Sequence, residues 1–329
     1  MSPSEGHALT KNTGRPRAAK RIAAVLAGVL LAPLAAEGAY RALRTAGLSP
    51  TTNPAYVEHD ARLGWRYRPG MVERHASDEF DVEVRTNAQG FRGPDWNLDS
   101  YANRDRKPRV LVLGDSYAFG WGVTFEESLP ARLQALRPDW NVLGAGVSGY
   151  GTDQESLLLE QLDSGLRPDC VVVVFCENDL YECTDDVAYG KSKPRFARAG
   201  GELRLEGVPV PFPWIERVSL VWRALRKARW ERDAAERVRD PNAEWALVCD
   251  LYRRMREVLG DRPLVILSDR DRLSRLADEE PGIEHVDVAA AFGAEYSRFQ
   301  FPRDGHWNRE GHARAAEALV GALRPLMDR

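Results

Sequence analysis

Residues 111–123 read LVLGDSYAFGWGV, and this stretch indicates the fold. Val110–Leu113 is an apolar run typical of a buried strand, and Gly114 permits a sharp turn directly after it. Ser116 follows that turn. A serine at such a place either caps the next helix or is a nucleophile held within reach of a substrate. The residues at the ends of the other strands decide between these two roles.

Strand and helix patterns alternate from residue 108 onward. Strands are predicted at Val110–Leu113, Val142–Leu143, Cys170–Phe175, Leu264–Leu267 and His285–Val288, and helices at Glu126–Arg137, Asp153–Gly165 and Asn308–Leu323. Five strands that alternate with helices predict a parallel α/β sheet covered by helices on both faces. In such sheets ligands bind at the carboxyl ends of the strands, and Ser116 follows one of these ends.

Polar or glycine-rich segments also follow other strands of this predicted sheet. The second strand runs into Gly-Val-Ser-Gly-Tyr-Gly at 146–151, and the third into Cys-Glu-Asn-Asp at 176–179. Asp304 and His306 come just before the last helix. Acyl transfer needs these residue types, because a serine nucleophile requires a base and the base requires a carboxylate that fixes its tautomer. Backbone amides and an asparagine side chain are suitable donors to the oxyanion.

The set Gly114-Asp115-Ser116, Gly149, Asn178 and Asp304/His306 resembles the SGNH (GDSL-type) hydrolase family over about residues 109–329. The resemblance implies a flavodoxin-like three-layer sandwich with a five-stranded parallel sheet, and a serine esterase that uses neither a metal nor an organic cofactor. It assigns catalysis to Ser116, Asp304 and His306, and oxyanion binding to Ser116, Gly149 and Asn178. The implied substrate is a small-molecule or glycan ester.

Two positions depart from the usual pattern of that family. Cys176 stands where the third block usually has glycine, and Arg303 stands where the last block usually has its acid, so that Asp304 is two residues before His306. The resulting Asp-x-His-Trp block is similar to that of SGNH-type polysaccharide acetyltransferases. We therefore expect cleavage of carboxylic esters, O-acyl or O-acetyl, through an acyl-enzyme. The alternatives are transfer of acetyl groups on or off a cell-surface polysaccharide, and glycan binding without turnover.

A different motif overlaps the second strand end. Residues 144–149 match Gly-x-Gly-x-x-Gly, the fingerprint of dinucleotide binding after a strand. The acid that should end the next strand is missing, since Asp169 precedes that strand and Glu177 is too far along. A dinucleotide site would also leave Ser116 and His306 without a function, so it is the third choice.

Three further polar residues near the motifs are expected to have structural and not catalytic roles. Asp115 is expected to brace the turn before Ser116, and Asn308 to cap the last helix. His312 lies on that helix and is expected to face solvent.

The first forty residues differ from the rest. Residues 1–21 are polar and basic, residues 22–36 are apolar with glycine and proline, and Glu37 interrupts the run. The stretch 22–40 is long enough to span a membrane if Glu37 lies near the far interface, while 22–36 is at the upper limit of a signal-peptide core. We expect a single N-terminal membrane helix as a signal anchor, with a cleaved signal peptide as the alternative. Either places the main domain outside the cytoplasm, with residues 1–21 as a cytoplasmic tail.

The remaining chain divides into two predicted parts. Residues 41–107 are loop-rich with short alternating runs and predict a small β-containing lead-in, and residues 108–329 form the SGNH-type domain. Residues 185–244 interrupt its alternation as an insertion, with a hairpin over Glu202–Val208 and a helix from Trp214 to about Arg239. We favour a helix packed on the sheet over a lid or a membrane-facing surface.

Composition excludes several classes of protein. The apolar fraction of 43% and charged fraction of 29% are those of a globular chain, and the net charge of −3 argues against nucleic-acid binding.

Cys170 and Cys176 are too far apart along one strand to bridge, and a bridge from Cys183 to Cys176 or Cys249 stays open. The chain has no Cys-x-x-Cys and no close histidine pair, so no zinc site is predicted.

Overall fold

The computed structural model describes residues 15–45, 56–96, 98 and 106–327. Their contacts divide into two compact units. One unit joins residues 15–45 with Trp214–Leu225, and the other contains residues 56–213 and 226–327. Residues 1–14 of the predicted tail, and residues 46–55, 97 and 99–105 of the predicted lead-in, lie outside the described residues.

Helices and strands follow in this order. The helices are α1 (Arg15–Thr45), α2 (Ser116–Phe119), α3 (Leu129–Leu136), α4 (Thr152–Leu166), α5 (Glu177–Glu182), α6 (Trp214–Val218), α7 (Leu220–Glu236), α8 (Pro241–Leu259), α9 (Asp271–Glu279), α10 (Val288–Phe292) and α11 (Arg309–Met327). The strands are β1 (Val57–Asp60), β2 (Gly64–Tyr67), β3 (Val72–Ala76), β4 (Asp81–Arg85), β5 (Arg109–Gly114), β6 (Asn141–Gly144), β7 (Cys170–Val174), β8 (Val187–Ala188), β9 (Lys191–Ser192), β10 (Arg195–Ala199), β11 (Glu202–Glu206), β12 (Leu264–Ser268) and β13 (Ile283–Asp287). Two 3₁₀ turns cover Phe125–Glu127 and Gly293–Phe299.

Five strands form one parallel sheet in the order β13-β12-β7-β5-β6. Read from β6, this is the flavodoxin-like order 2-1-3-4-5 of a doubly wound sheet. The predicted fold class is confirmed. The order reverses between β5 and β7, and such a reversal opens a crevice at the carboxyl ends of the two strands. Ser116 follows one of these strands and Asn178 follows the other.

Helices cover both faces of this sheet, as its apolar strands require. Leu111 and Leu113 of β5 contribute to the core that contains side chains of α4 and α8, whereas Val110 and Val112 contribute to the core under α3 and α11. All four side chains are fully buried. Burial of each such side chain stabilises the fold by about 1.5–3 kcal/mol, so alternate residues of one strand hold the two helical layers in place.

The lead-in contributes two antiparallel hairpins, β1 with β2 and β3 with β4. Trp65 and Tyr67 of β2 are almost completely buried in the same core as α4 and α8. The side-chain amide of Gln154 in α4 donates to the carbonyl of Leu63 at 2.6 Å. The hairpins are therefore packed on the α/β sandwich.

Two predicted elements differ from the observed ones, and two of the longer helices have no predicted counterpart. The helix expected from Trp214 to Arg239 is two helices, because the hydroxyl of Ser219 accepts the N–H of Trp222 at 3.0 Å and starts a new helix as its N-cap. The hairpin expected over Glu202–Val208 begins earlier, since Glu202–Glu206 is only its second strand and pairs with β10. Helices α8 and α9 were not predicted.

His312 was expected to face solvent, and that expectation is wrong. Its side chain is fully buried, with its ring edge-on to Trp307 at 5.7 Å. Burial lowers the pKa of His312 to about 3, so the imidazole is neutral at physiological pH.

The four cysteines are all free, including Cys183, for which a bridge had remained open.

The unit with α1 is apolar on its outside. Lys20–Leu43 is long and apolar enough to cross a membrane, with a mean hydropathy of 1.9. Residues 214–225, expected on the sheet, belong to this unit, and Trp214 is 73% exposed.

Candidate active site

The turn after β5 presents Ser116 at the carboxyl end of the sheet. Gly114 has φ +144°, and a Cβ there would lie 2.7 Å from the Cβ of Ala118, so only glycine fits. Asp115 is the N-cap of α2, with its carboxylate accepting the N–H of Tyr117 at 2.9 Å. Asp115 therefore takes the capping role that was the alternative for Ser116, and the hydroxyl of Ser116 has other partners.

His306 and Asp304 line up with this hydroxyl. The Nε2 atom of His306 is 2.7 Å from Ser116 Oγ, and its Nδ1 atom is 2.5 Å from Asp304 Oδ1. The indole N–H of Trp121 donates to the other oxygen of Asp304 at 3.3 Å. Burial alone would raise the pKa of Asp304, but the hydrogen bonds from His306 and Trp121 outweigh it and lower that pKa below its ordinary value. The aspartate is thus ionised at neutral pH beside the imidazole.

Two aromatic rings fix the position of the imidazole. The rings of Tyr117 and Trp121 lie 4.9 and 5.6 Å from the His306 ring, both tilted against it. The hydroxyl of Tyr117 also donates to the carbonyl of Gly305 at 3.3 Å. These contacts tie the loop before α11 to the residues that follow Ser116.

Asn178 reaches the serine from the neighbouring strand. It lies in the first turn of α5, after β7, and its side-chain amide donates to Asp115 Oδ2 at 3.2 Å. The same oxygen lies 3.2 Å from Ser116 Oγ. Burial raises the pKa of Asp115, although the hydrogen bonds from Tyr117 and Asn178 oppose that effect. Asp115 therefore holds the amide of Asn178 beside the serine, across the reversal point of the sheet.

Gly149 lies in the loop after β6, where its φ is +79°. A Cβ there would lie 2.6 Å from the ring of Tyr189, so glycine is required. Among the described residues no hydrogen bond joins Gly149 to Ser116, and its role as an oxyanion donor stays a prediction. The loop is held from the lead-in, since the N–H of Ser148 donates to the hydroxyl of Tyr67 at 2.6 Å.

The glycines of the dinucleotide-like motif have a packing explanation. A Cβ on Gly146 would lie 2.3 Å from the backbone nitrogen of Phe119, and one on Gly144 would lie 3.0 Å from Pro130. The loop after β6 therefore passes close to α2 and α3, the elements next to Ser116.

Sequence reasoning missed Glu79, which lies between β3 and β4. Its carboxylate accepts the backbone N–H of Asp304 at 2.7 Å and that of Arg303 at 3.1 Å, and its side chain is only 11% exposed. Nothing local in the sequence signals a contact between residues so far apart. The acidic turn between two alternating runs, residues 77–79, was the available sign of a functional loop.

An aromatic group from the same hairpin also adjoins the site. The ring of His75 lies 4.1 Å from that of Trp121, edge to face, and the ring of Phe80 lies 4.9 Å from that of His75. Burial, followed by the charge of Arg92, lowers the pKa of His75 to about 4. This histidine is therefore neutral at pH 7 and packs as an aromatic side chain against the Trp121 that binds Asp304.

Several carboxyl groups lie buried in the layer between α4 and α5. Glu155, Asp179 and Glu182 are at most 1% exposed, and burial raises the pKa of all three, that of Glu182 to about 8. Lys193 forms a buried ion pair with Asp153 nearby. Within the described ranges no group of three or more histidine, cysteine or acidic side chains is arranged to hold a metal ion.

Comparison with known proteins places the chain. The model of the GDSL-like lipase/acylhydrolase family matches residues 112–314, more than half of the chain. Similar solved structures include TesA, with 16% identity over 66% of this chain and 99% of that chain, at a TM-score of 0.43. A Clostridium thermocellum family 3 carbohydrate esterase has 12% identity over 68% of this chain and 100% of that chain, at 0.42.

A third solved structure is the salicylyl-acyltransferase SsfX3 from a tetracycline biosynthetic pathway, with 13% identity over 74% of this chain and 60% of that chain, at a TM-score of 0.41. No curated protein sequence matches the chain. The match to the family model spans the blocks that contain Ser116, Asn178 and His306. The chain therefore belongs to the SGNH, or GDSL-like lipase/acylhydrolase, family of ester-hydrolysing enzymes.

Proposed function

We propose that this enzyme is a membrane-anchored serine hydrolase that cleaves O-acyl or O-acetyl esters of a small molecule or glycan, outside the cytoplasm, through an acyl-enzyme. The observation that carries the proposal is the continuous hydrogen-bonded row from Asp304 through His306 to Ser116, with distances of 2.5 and 2.7 Å. A base within hydrogen-bond reach of a serine, itself oriented by a carboxylate, is the arrangement that activates a hydroxyl nucleophile.

Acylation uses this row directly. Ser116 Oγ attacks the ester carbonyl carbon while His306 Nε2 takes the hydroxyl proton. Asp304 accepts the Nδ1–H of His306, which fixes the tautomer with a free Nε2 and stabilises the imidazolium that forms. Because the pKa of Asp304 is lowered, this carboxylate carries its charge throughout the neutral range.

The tetrahedral intermediate needs donors for its oxyanion. We assign these to the backbone amides of Ser116 and Gly149 and to the side-chain amide of Asn178. An amide nitrogen has two hydrogens, and the bond to Asp115 uses one of them while it fixes the other's position beside Ser116.

Collapse of the intermediate breaks the bond between the carbonyl carbon and the alcohol oxygen. The leaving alcohol takes the proton from His306 Nε2, and the acyl group stays on Ser116. Water then attacks the acyl-enzyme, with His306 again taking a proton, and the carboxylic acid leaves as Ser116 is restored. A sugar hydroxyl in place of water completes acyl transfer by the same steps, and analysis of the products separates the two reactions.

Asn178→Ala tests the oxyanion assignment. Since the amide acts mainly in the transition state, the variant is expected to lower kcat on a small acetyl ester by a factor of roughly 100 to 1000, about 2.7–4 kcal/mol, with little change in KM. A fluorophosphonate should still label Ser116, only more slowly. Asn87→Ala is the matched control, because the buried Asn87 caps a turn of the lead-in through the N–H groups of Gln89 and Phe91. The control should lower Tm and keep kcat, and the same outcome for Asn178→Ala would make Asn178 structural.

The topology has its own test. The basic residues that precede the apolar part of α1, Lys20 and Arg21 among them, support a cytoplasmic N-terminus and a domain on the far side of the membrane. Proteinase K added to intact bacterial spheroplasts is expected to degrade the domain that contains Ser116. The mass of the chain in the membrane fraction then separates an uncleaved anchor from a cleaved signal peptide. Degradation only after lysis would contradict the extracytoplasmic placement.

A further inference from the structure

Glu37, which interrupts the apolar run of α1, has a specific structural partner. Its Oε1 accepts the N–H of Leu220 at 2.9 Å, and its Oε2 accepts the N–H of Val221 at 3.1 Å and the hydroxyl of Ser219 at 2.9 Å. Its side chain is only 17% exposed. The first amides of a helix lack partners within that helix and carry partial positive charge. Glu37 therefore binds the N-terminus of α7.

Arg41, one turn further along α1, binds the other helix end at the same place. Its guanidinium donates to Glu37 Oε1 at 2.8 Å and to the carbonyl of Val218, the last residue of α6, at 2.8 Å. A cation suits the C-terminus of a helix as an anion suits the N-terminus. The pair Glu37 and Arg41 thus matches both helix ends at the break between α6 and α7.

The segment held in this way is unusually apolar at its surface. Trp214, Val218, Trp222 and Leu225 are 73%, 54%, 42% and 61% exposed. Most of the large hydrophobic side chains that are exposed among the described residues belong either to this segment or to α1. Soluble surfaces seldom carry such a cluster, whereas tryptophan with aliphatic residues and interspersed arginines is typical of a helix at a membrane interface.

The distance along α1 agrees with that interpretation. Helix rise carries the chain about 25 Å from Lys20 to Glu37 at ~1.5 Å per residue. The hydrocarbon core of a bilayer is ~30 Å thick. With the basic residues Lys20 and Arg21 at one surface, Glu37 therefore lies within about 5 Å of the opposite surface. A helix docked on Glu37 lies at the boundary between the acyl chains and the headgroups.

We infer that residues 214–225 form a second membrane contact, which lies in the lipid–water interface of the bilayer that α1 spans and is fastened to α1 by Glu37 and Arg41. The apolar side chains of this segment insert at the boundary between headgroups and acyl chains. The inference rests on the membrane anchoring in the proposed function. A lipid surface is favoured over a partner protein because this segment belongs to the same compact unit as α1, whose large apolar side chains are also exposed.

Tryptophan quenching in vesicles tests this contact. Trp214 and Trp222 are the only tryptophans in residues 1–52 and 214–225. The full chain is reconstituted into phosphatidylethanolamine and phosphatidylglycerol vesicles, with and without phosphatidylcholine brominated near the headgroup end of its acyl chains. Brominated lipid is expected to quench the wild-type emission. The Trp214→Phe/Trp222→Phe variant should lose at least half of that quenching, and the matched Trp96→Phe/Trp245→Phe variant should retain it. Equal quenching in both variants would overturn the inference.

Glu37→Ala tests the contact between α1 and the N-terminus of α7 separately from membrane anchoring by α1. Loss of both carboxylate oxygens should release the N-terminus of α7 and reduce the quenching, while the chain still floats with the vesicles. Quenching equal to that of the wild type would contradict docking through Glu37.

Flotation and turnover of a small acetyl ester are measured on the same samples. A chain that floats and turns over ester without tryptophan quenching overturns this inference alone. A chain that does not float overturns it together with the anchoring. Quenching in a floating chain without ester turnover supports the inference and contradicts the proposed catalysis.

Discussion

Ser116→Ala is expected to reduce ester turnover to near background, a loss of roughly a millionfold as for the nucleophile of other serine triads. Ser116 Oγ is the atom that bonds to the acyl group, and no neighbouring side chain replaces this oxygen when it is removed. Covalent labelling by a fluorophosphonate should disappear with it, since the probe reacts with the same oxygen. Mass spectrometry of the labelled wild type should locate a single adduct on the peptide that contains Ser116.

Ser148→Ala is the matched control for this variant. Ser148 lies in the loop that follows β6 at the same edge of the sheet, two positions after Gly146. Its backbone N–H donates to the hydroxyl of Tyr67 whatever its side chain is. The control should keep both turnover and labelling. Labelling that persists in Ser116→Ala would move the nucleophile elsewhere, and a thermal melt shows whether either variant has lost its fold.

The parts of the fold that the sequence predicts well are those that local patterns determine. The apolar runs Val110–Leu113 of β5 and Cys170–Val174 of β7 are unbroken because both faces of these strands are buried. Polar residues come soon after each run. Ser116 and Asn178 are therefore predictable from position alone, as residues that follow adjacent strands at a sheet edge.

His312 lies at a position where the helical pattern itself predicts burial. It shares one face of α11 with Ala315, Ala316 and Leu319, at helical spacing, and all of them are fully buried. The period of the helix indicated burial, while the residue type suggested solvent. The period was the better guide, because the sheet covers that face whichever side chain stands there.

Other features depend on pairings that no local pattern encodes. Helical spacing continues through Ser219, which predicts a single helix. The break at that serine combines its N-cap bond to the N–H of Trp222 with a contact to the distant Glu37. Glu79 binds the backbone of Asp304 from a separate hairpin. Such hydrogen bonds follow from how elements pack, and packing is decided by the whole chain.

Asp304→Asn is expected to lower kcat by roughly ten-thousandfold, as loss of the carboxylate does in other serine triads. An asparagine in this place keeps the shape of the side chain but donates through its nitrogen, which allows His306 the wrong tautomer, and it no longer stabilises the imidazolium. The pKa of Asp304 is lowered, so its folded form stays ionised until the pH falls below the ordinary value for an aspartate. The loss should therefore be present across neutral and mildly acidic pH and should not be confined to one limb of the pH profile.

Glu79→Gln tests whether the charge of Asp304 has a catalytic role that the nearby carboxylate of Glu79 does not have. Glu79 adjoins the same loop, and its bonds go to the backbone N–H groups of Arg303 and Asp304, for which the carbonyl of glutamine is still an acceptor. We therefore expect at most about a tenfold loss of kcat, with a lowered Tm if the loop loosens. The kcat of both variants on one acetyl ester, measured from pH 5 to 9, separates the two roles. Equal losses in the two variants would mean that Asp304 acts by holding the loop in position, and that the row from Asp304 to Ser116 does not carry the catalytic charge.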